Sequence, residues 1–138
     1  MFKKLIFGLS LWLFATTLSF GANFDDGVNA YEKGDYKTAL TIFEDLAKKG
    51  DIDAQYNLGL MYDNGRGVKQ DYKKAFEWYE KAANQGYASA QNNLGVMYGN
   101  GYGVREDKKI AKEWFGKACD GGVQNGCDYY KILNQQGY

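Results

Sequence analysis

Residues 54–86 read AQYNLGLMYDNGRGVKQDYKKAFEWYEKAANQG, and residues 90–122 read AQNNLGVMYGNGYGVREDKKIAKEWFGKACDGG. Aligned at a shift of 36 residues, they agree at Ala54/Ala90, Gln55/Gln91, Asn57/Asn93, Leu58/Leu94, Gly59/Gly95, Met61/Met97 and Tyr62/Tyr98. The agreement continues through Asn64/Asn100, Gly65/Gly101, Gly67/Gly103, Val68/Val104 and Asp71/Asp107. It closes on Lys73/Lys109, Ala75/Ala111, Glu77/Glu113, Trp78/Trp114, Lys81/Lys117, Ala82/Ala118 and Gly86/Gly122. A repeat of this length implies one supersecondary unit stacked on a copy of itself.

Each copy reads as a helical hairpin. Ala54, Leu58, Met61 and Tyr62 fall at i, i+4, i+7 and i+8, which is one face of a helix. Gly59 costs about 1 kcal/mol inside a helix, so its recurrence at Gly95 points to close approach of a neighbouring helix. Asn64-Gly65 ends the helix, because both residue types tolerate the left-handed conformation. Gly67 adds a second flexible point, and Val68 is placed to plug the loop into the core. The Asp71 carboxylate caps the next helix. That helix is expected to bury Tyr72, Ala75, Phe76, Tyr79, Ala82 and Ala83, with Trp78 beside the stripe, and to stop at Gly86. The second copy repeats the scheme with Leu94, Met97 and Tyr98, the cap Asp107, and then Ala111, Trp114, Phe115 and Ala118.

The flanks extend the pattern. In residues 22–50, a Gly34-Asp35 turn precedes Tyr36, Ala39, Leu40, Phe43 and Leu46 at helical spacing. Aligning Gly50 with Gly86 brings Asp35, Tyr36, Lys37 and Ala39 against Asp71, Tyr72, Lys73 and Ala75, so this is a divergent hairpin with a shorter turn. The tail, residues 123–138, begins another repeat and stops. It predicts one capping helix over Asn125–Gln135, with Tyr130, Leu133 and Tyr129 covering the exposed end. The expected organisation is therefore a leader over 1–21, a hairpin over 22–50, repeats over 51–86 and 87–122, and a cap over 123–138. The expected fold is all-α, a solenoid of about seven short helices.

The leader is read from Lys3-Lys4 followed by the apolar run Leu5–Ala15, the pattern of a secretory signal. It is shorter than the roughly 20 residues a membrane span requires, and no span is expected after cleavage. Ser19-Phe20-Gly21 favours cleavage after Gly21, with cleavage after Ala22 close behind; an uncleaved anchor is the alternative. Export changes the reading of Cys119 and Cys127. In an oxidising compartment two nearby cysteines form a disulfide, whereas in the cytosol they would be buried thiols. The periplasm and the exterior of the cell remain equally open as destinations.

Composition narrows the chemistry. The 138 residues hold 17 Lys+Arg against 17 Asp+Glu, so no net field steers the chain to nucleic acid. There is no histidine, which removes the commonest general base and metal ligand, and no metal or cofactor is expected. There is no proline either, as suits a chain of helices and glycine turns.

These residues resemble the Sel-one-like repeat family, relatives of the tetratricopeptide repeats. The family pattern appears as Ala54, Leu58, Gly59, Tyr62, Gly65, Gly67, Val68, Asp71, Ala75, Trp78, Tyr79, Ala82, Ala83 and Gly86, and recurs through Ala90–Gly122. The N-terminal hairpin is closer to a tetratricopeptide unit. The resemblance implies a right-handed superhelix that binds proteins. The pair Cys119 and Cys127, with seven residues between, resembles the cysteine-rich bacterial branch, in which such pairs bridge adjacent helices. The first repeat departs from that branch, with Ala83 and Gln91 where a pair would sit.

That branch carries a second implication, weak binding or hydrolysis of β-lactams. Outside the leader the one serine is Ser89, followed by Ala90-Gln91-Asn92. A serine β-lactamase needs a lysine three residues after its nucleophile, and Asn92 stands there. No catalytic centre is therefore expected. The Gly65-Arg66-Gly67 and Gly101-Tyr102-Gly103 stretches join two helices, so they read as turns rather than phosphate loops.

Recognition of a protein or extended peptide is the remaining function, for a monomeric scaffold in a bacterial envelope. By resemblance to tetratricopeptide domains, the concave lining is Tyr56, Asn57, Leu60 and Asp63, then Asn92, Asn93, Val96 and Gly99. Phe24, Val28 and Tyr31 add an apolar end. Asparagine both donates and accepts, so Asn57 and Asn93 suit a peptide backbone; a helix-to-helix hydrogen bond is the alternative for them. The positions where the copies differ, Tyr56/Asn92, Arg66/Tyr102 and Ala83/Cys119, are the places to look for what is particular to this chain.

Overall fold

The computed structural model describes residues 21–138, and the export leader expected over 1–21 lies outside them but for Gly21. Among the described residues there are seven helices: α1 (Phe24–Glu32), α2 (Tyr36–Lys48), α3 (Ile52–Asn64), α4 (Tyr72–Asn84), α5 (Ala88–Asn100), α6 (Lys108–Asp120) and α7 (Gln124–Gln135). Each packs on its neighbours in sequence, giving the hairpins α1–α2, α3–α4 and α5–α6, followed by α7. This is the all-α hairpin solenoid that the repeat predicts. No helix among the described residues is long and apolar enough to cross a membrane.

Side-chain oxygens start most of these helices. Asn23 and Asp26 form a reciprocal capping box on α1. Asp35, Asp51 and Asp71 accept from the amides of Thr38, Ala54 and Lys74, and Asp107 accepts from both Lys109 and Ile110. The first helix of each repeat ends on a left-handed glycine, Gly65 at φ 64° and Gly101 at φ 72°.

Inside each hairpin one glycine faces one aromatic ring. A Cβ on Gly27 would stand 2.6 Å from the Phe43 ring, one on Gly59 2.5 Å from Tyr79, and one on Gly95 2.6 Å from Phe115. Only a bare backbone lets the ring lie there, which offsets the poor helix propensity of glycine. Around the first two of these rings two apolar clusters form. Ala39, Phe43, Ala54, Leu58 and Met61 anchor the first, and Ala75, Tyr79, Ala82, Ala90 and Leu94 the second. Each buried leucine contributes about 2 kcal/mol by leaving water.

The glycine loops join hairpin to hairpin. A Cβ on Gly67 would lie 2.7 Å from the carbonyl oxygen of Tyr36, and one on Gly103 would strike the carbonyl oxygen of Tyr72. Each loop thus rests on the first turn of the preceding hairpin's second helix. The turn reading captures the positive φ of these glycines and misses this contact.

The junctions between hairpins are also stitched. Gln55 Nε2 donates to the Ala47 carbonyl at 3.2 Å, and Gln91 Nε2 to the Ala83 carbonyl at 3.2 Å. At the corresponding places of the last junction stand Cys119 and Cys127, which form a disulfide with Cα atoms 4.5 Å apart. One location in the fold is therefore closed by a hydrogen bond twice and by a covalent bond once.

Two expectations require correction. Tyr72 does not join the buried stripe of α4; it is 37% exposed, because it sits on the outer turn where the next loop docks. The cap covers its neighbour only in part: Tyr129 stacks on Phe115 at 4.9 Å between ring centroids and Leu133 is half-buried, while Tyr129 and Tyr130 remain exposed.

Candidate functional site

Side chains from α3 and α5 meet over the ring of Tyr79. The Tyr56 ring lies 5.9 Å from that of Tyr79 and 4.8 Å from that of Tyr87. Tyr79 is fully buried, and its hydroxyl donates to Asp63 Oδ2 at 3.0 Å. Burial pushes its ionisation far above the ordinary tyrosine value, and the Asp63 charge adds to this. Tyr79 therefore stays a neutral donor that orients the carboxylate. Burial also raises Tyr56, against which the neighbouring Asn93 and Ser89 side chains act by hydrogen bonding.

Beside this group is a recess of about 140 Å³, lined by Asp63, Tyr72, Asn93, Val96, Met97 and Tyr102. Tyr72 and Tyr102 stack at its rim, with centroids 5.0 Å apart and planes inclined by 13°. Gln70 ties the rim to α3, its Nε2 donating to the Asp63 carbonyl at 2.6 Å and to the Tyr72 hydroxyl at 3.3 Å. A second recess, of about 230 Å³, opens between α5, α6 and α7 against Val96, Gly99, Phe115, Tyr129 and Leu133. Both volumes fall below the roughly 300 Å³ at which small-molecule sites begin.

The structure brings Tyr56, Asp63, Asn93 and Val96 into one neighbourhood. It places the other sequence-selected residues elsewhere. Asn57 Nδ2 donates to the Asp53 carbonyl of its own helix at 2.8 Å, which is neither a peptide contact nor a helix-to-helix bond. Leu60 is half-buried and packs on the second apolar cluster. Asn92 keeps a buried Oδ1 with no partner among the described residues. Gly99 borders the second recess. Phe24, Val28 and Tyr31 pack on the first apolar cluster. Ser89 sits in the first turn of α5 beside the Tyr56 phenol, and the nearby Gln91 is committed to its junction hydrogen bond.

Sequence reasoning missed Tyr72 and the Tyr79 hydroxyl as parts of this face, and marked Tyr102 only as a place where the copies differ. A signal was present for the hydroxyl as well. Tyr102 replaces Arg66, Phe115 replaces Tyr79 and Gly99 replaces Asp63 across the repeat, so the hydroxyl and its acceptor are absent together from the second copy.

The family model for the Sel1 repeat matches residues 52–87 and 88–123. Among solved structures, a Sel1 repeat protein from Oxalobacter formigenes superposes with a TM-score of 0.79 at 32% identity, over 83% of this chain and 47% of that one. The c5321 protein, described as a protective antigen present in uropathogenic Escherichia coli strains and displaying an SLR fold, superposes with a TM-score of 0.66 at 31% identity, over 86% and 34%. Helicobacter pylori cysteine rich protein B shares the fold, with a TM-score of 0.63 at 22% identity over 78% and 97%. This chain thus spans less than half the length of the first two. No curated protein is matched.

Proposed function

The chain belongs to the Sel1 repeat family, whose repeats are protein-interaction modules, and we propose that it is an exported bacterial scaffold that binds a protein or extended peptide across the α3–α5 face. The observation that carries this reading is the recess in which Asp63 of α3 meets Asn93 and Val96 of α5. It offers a carboxylate, an amide and an apolar wall within reach of one bound strand, the mixture by which peptide backbone and side chains are held together. Tyr56 packs on Tyr79, whose hydroxyl holds the Asp63 carboxylate. Asn57, Leu60 and Asn92 lie outside the lining of the recess.

Export is supported by the Lys3-Lys4 and Leu5–Ala15 pattern together with the Cys119–Cys127 disulfide, since structural disulfides persist in oxidising compartments. The scaffold acts as a monomer, and binding rather than turnover is its work.

A photo-crosslinking residue at Val96 tests the proposal in intact cells. A defined partner should be captured from Val96 and not from Glu77, an exposed position on α4. Equal labelling from both positions, or none from Val96, defeats it.

A further inference from the structure

The two loop contacts between hairpins differ in charge. At the first, Arg66 lies over the Tyr36 ring at 5.3 Å from its centroid, and its Nη1 donates to the Tyr36 hydroxyl at 3.0 Å. At the second, the same two places are held by Tyr102 and Tyr72, whose rings stack directly on each other. The acid differs as well. Four residues after Gly59 stands Asp63, and four residues after Gly27 stands Tyr31, which contacts Tyr36 at 4.9 Å. The first contact therefore has a guanidinium and no carboxylate. The second has a carboxylate and no guanidinium.

Asp63 has no salt-bridge partner among the described residues. Of the cations that follow it in sequence, Arg66 lies on Tyr36 and Lys74 over the Tyr62 ring, each at 5.3 Å from the centroid. One Asp63 oxygen is held by the Tyr79 hydroxyl. The recess beside it, about 140 Å³, has room for the end of one side chain.

We propose that this recess receives an arginine of the bound partner, its guanidinium paired with the Asp63 carboxylate and lying against the Tyr72–Tyr102 rings. The proposal rests on the peptide-binding reading above and gives that partner its chemistry. Guanidinium is planar and weakly hydrated, so it can stack on tyrosine while donating to a carboxylate in its own plane. The Asn93 carbonyl oxygen is a further acceptor on the same wall, and Val96 and Met97 cover the aliphatic stem. Arg66 on Tyr36 is the stacking half of that contact made within the chain.

The test is a titration of the full, isotope-labelled, oxidised chain, followed at the methyl signals of Val96 and Met97. The probes are N-acetylarginine N-methylamide and its citrulline isostere, which has the same shape and no charge. The arginine probe should give saturable shifts, with the citrulline probe weaker by about tenfold, the ratio expected of one charge-assisted contact. Asp63→Asn should bring arginine binding down to the citrulline level, while Tyr79 still has an oxygen to donate to and the fold is kept. Equal response to the two probes, no response to either, or undiminished arginine binding in Asp63→Asn overturns the proposal. Absent arginine binding with Val96 crosslinking intact defeats this inference alone. Intact arginine binding with no partner captured sustains it and defeats the scaffold reading alone.

Discussion

The two repeats share a backbone plan and differ in how they fill it. In α3–α4 the ring facing the glycine is Tyr79, whose hydroxyl crosses to Asp63. In α5–α6 it is Phe115, and Gly99 stands where the acceptor would be. The first repeat therefore presents an oriented carboxylate, and the second presents an apolar hollow against α7. The junctions differ in the same spirit. Gln55 and Gln91 close theirs with one hydrogen bond each, and Cys119 and Cys127 close the last one covalently. Among the described residues α7 packs chiefly on α6, and the disulfide fastens its first turn to the last turn of that helix.

The largest effect should come from breaking that last junction. Replacing Cys119 and Cys127 together by serine should lower stability by about 2.5 kcal/mol, the loop-closure value for so short a ring. Hydrogen exchange should locate the loss in α7, leaving α1–α5 protected. Installing alanine and glutamine there instead, as in the other two junctions, should restore part of it. A uniform loss of protection along the chain would mean that the disulfide serves the whole solenoid rather than its end.

Next come the glycines that the repeats have in common. Gly59→Ala and Gly95→Ala should each cost about 2 kcal/mol in chemical denaturation, despite the better helix propensity of alanine, because the new methyl meets a packed ring. The two costs should match, since the rings stand at nearly the same distance. A stabilising result at either site would show that its ring can withdraw.

A smaller effect separates the repeats. Tyr79→Phe should cost about 1.5 kcal/mol at neutral pH, the low end for a hydrogen bond to a charged group. It should also alter the alkaline limb. The folded-state ionisation of Tyr79 lies above the ordinary value of 10.0. Its contribution is therefore complete below about pH 10 and is lost as the pH rises beyond. Removing the phenol should flatten the decline of melting temperature above that pH. Tyr56, Tyr62, Tyr87 and Tyr98 are raised as well, chiefly by burial, and leave a residual decline. An unchanged alkaline limb would show that Tyr79 contributes nothing there.

The smallest expected difference lies in the caps. Asp107→Ala should cost about 1 kcal/mol and Asp71→Ala somewhat less, because Asp107 accepts from two amides and Asp71 from one. Thermal melts of the two variants decide the order.

How far the sequence carried varies with the range of the interaction. Helix faces, caps and stops were legible, because each depends on residues within one or two turns. Gly59 was legible as a close-approach site because a costly residue recurred in the same place. The disulfide was legible from an N-terminal pattern like that of a secretory leader, a spacing and a resemblance. The junction role of Gln55 and Gln91 was not, since glutamine is ordinarily a surface residue and nothing local marks it as buried. Tyr72 misled for the opposite reason: an aromatic residue at helical phase looks like core until a loop from the next hairpin takes up the space beside it.

The sequence by itself determined the repeat, the helices and the order in which they stack. Its own recurrence supplied the evidence, and each unit is built from contacts between near neighbours. Only the tertiary structure decided which side chains share a recess. Arg66 reaches Tyr36 across 30 residues, and Tyr79 reaches Asp63 across 16. Such meetings follow from how one hairpin rides on another, a geometry set by bare glycines and ring volumes together, and no local pattern of residues specifies it.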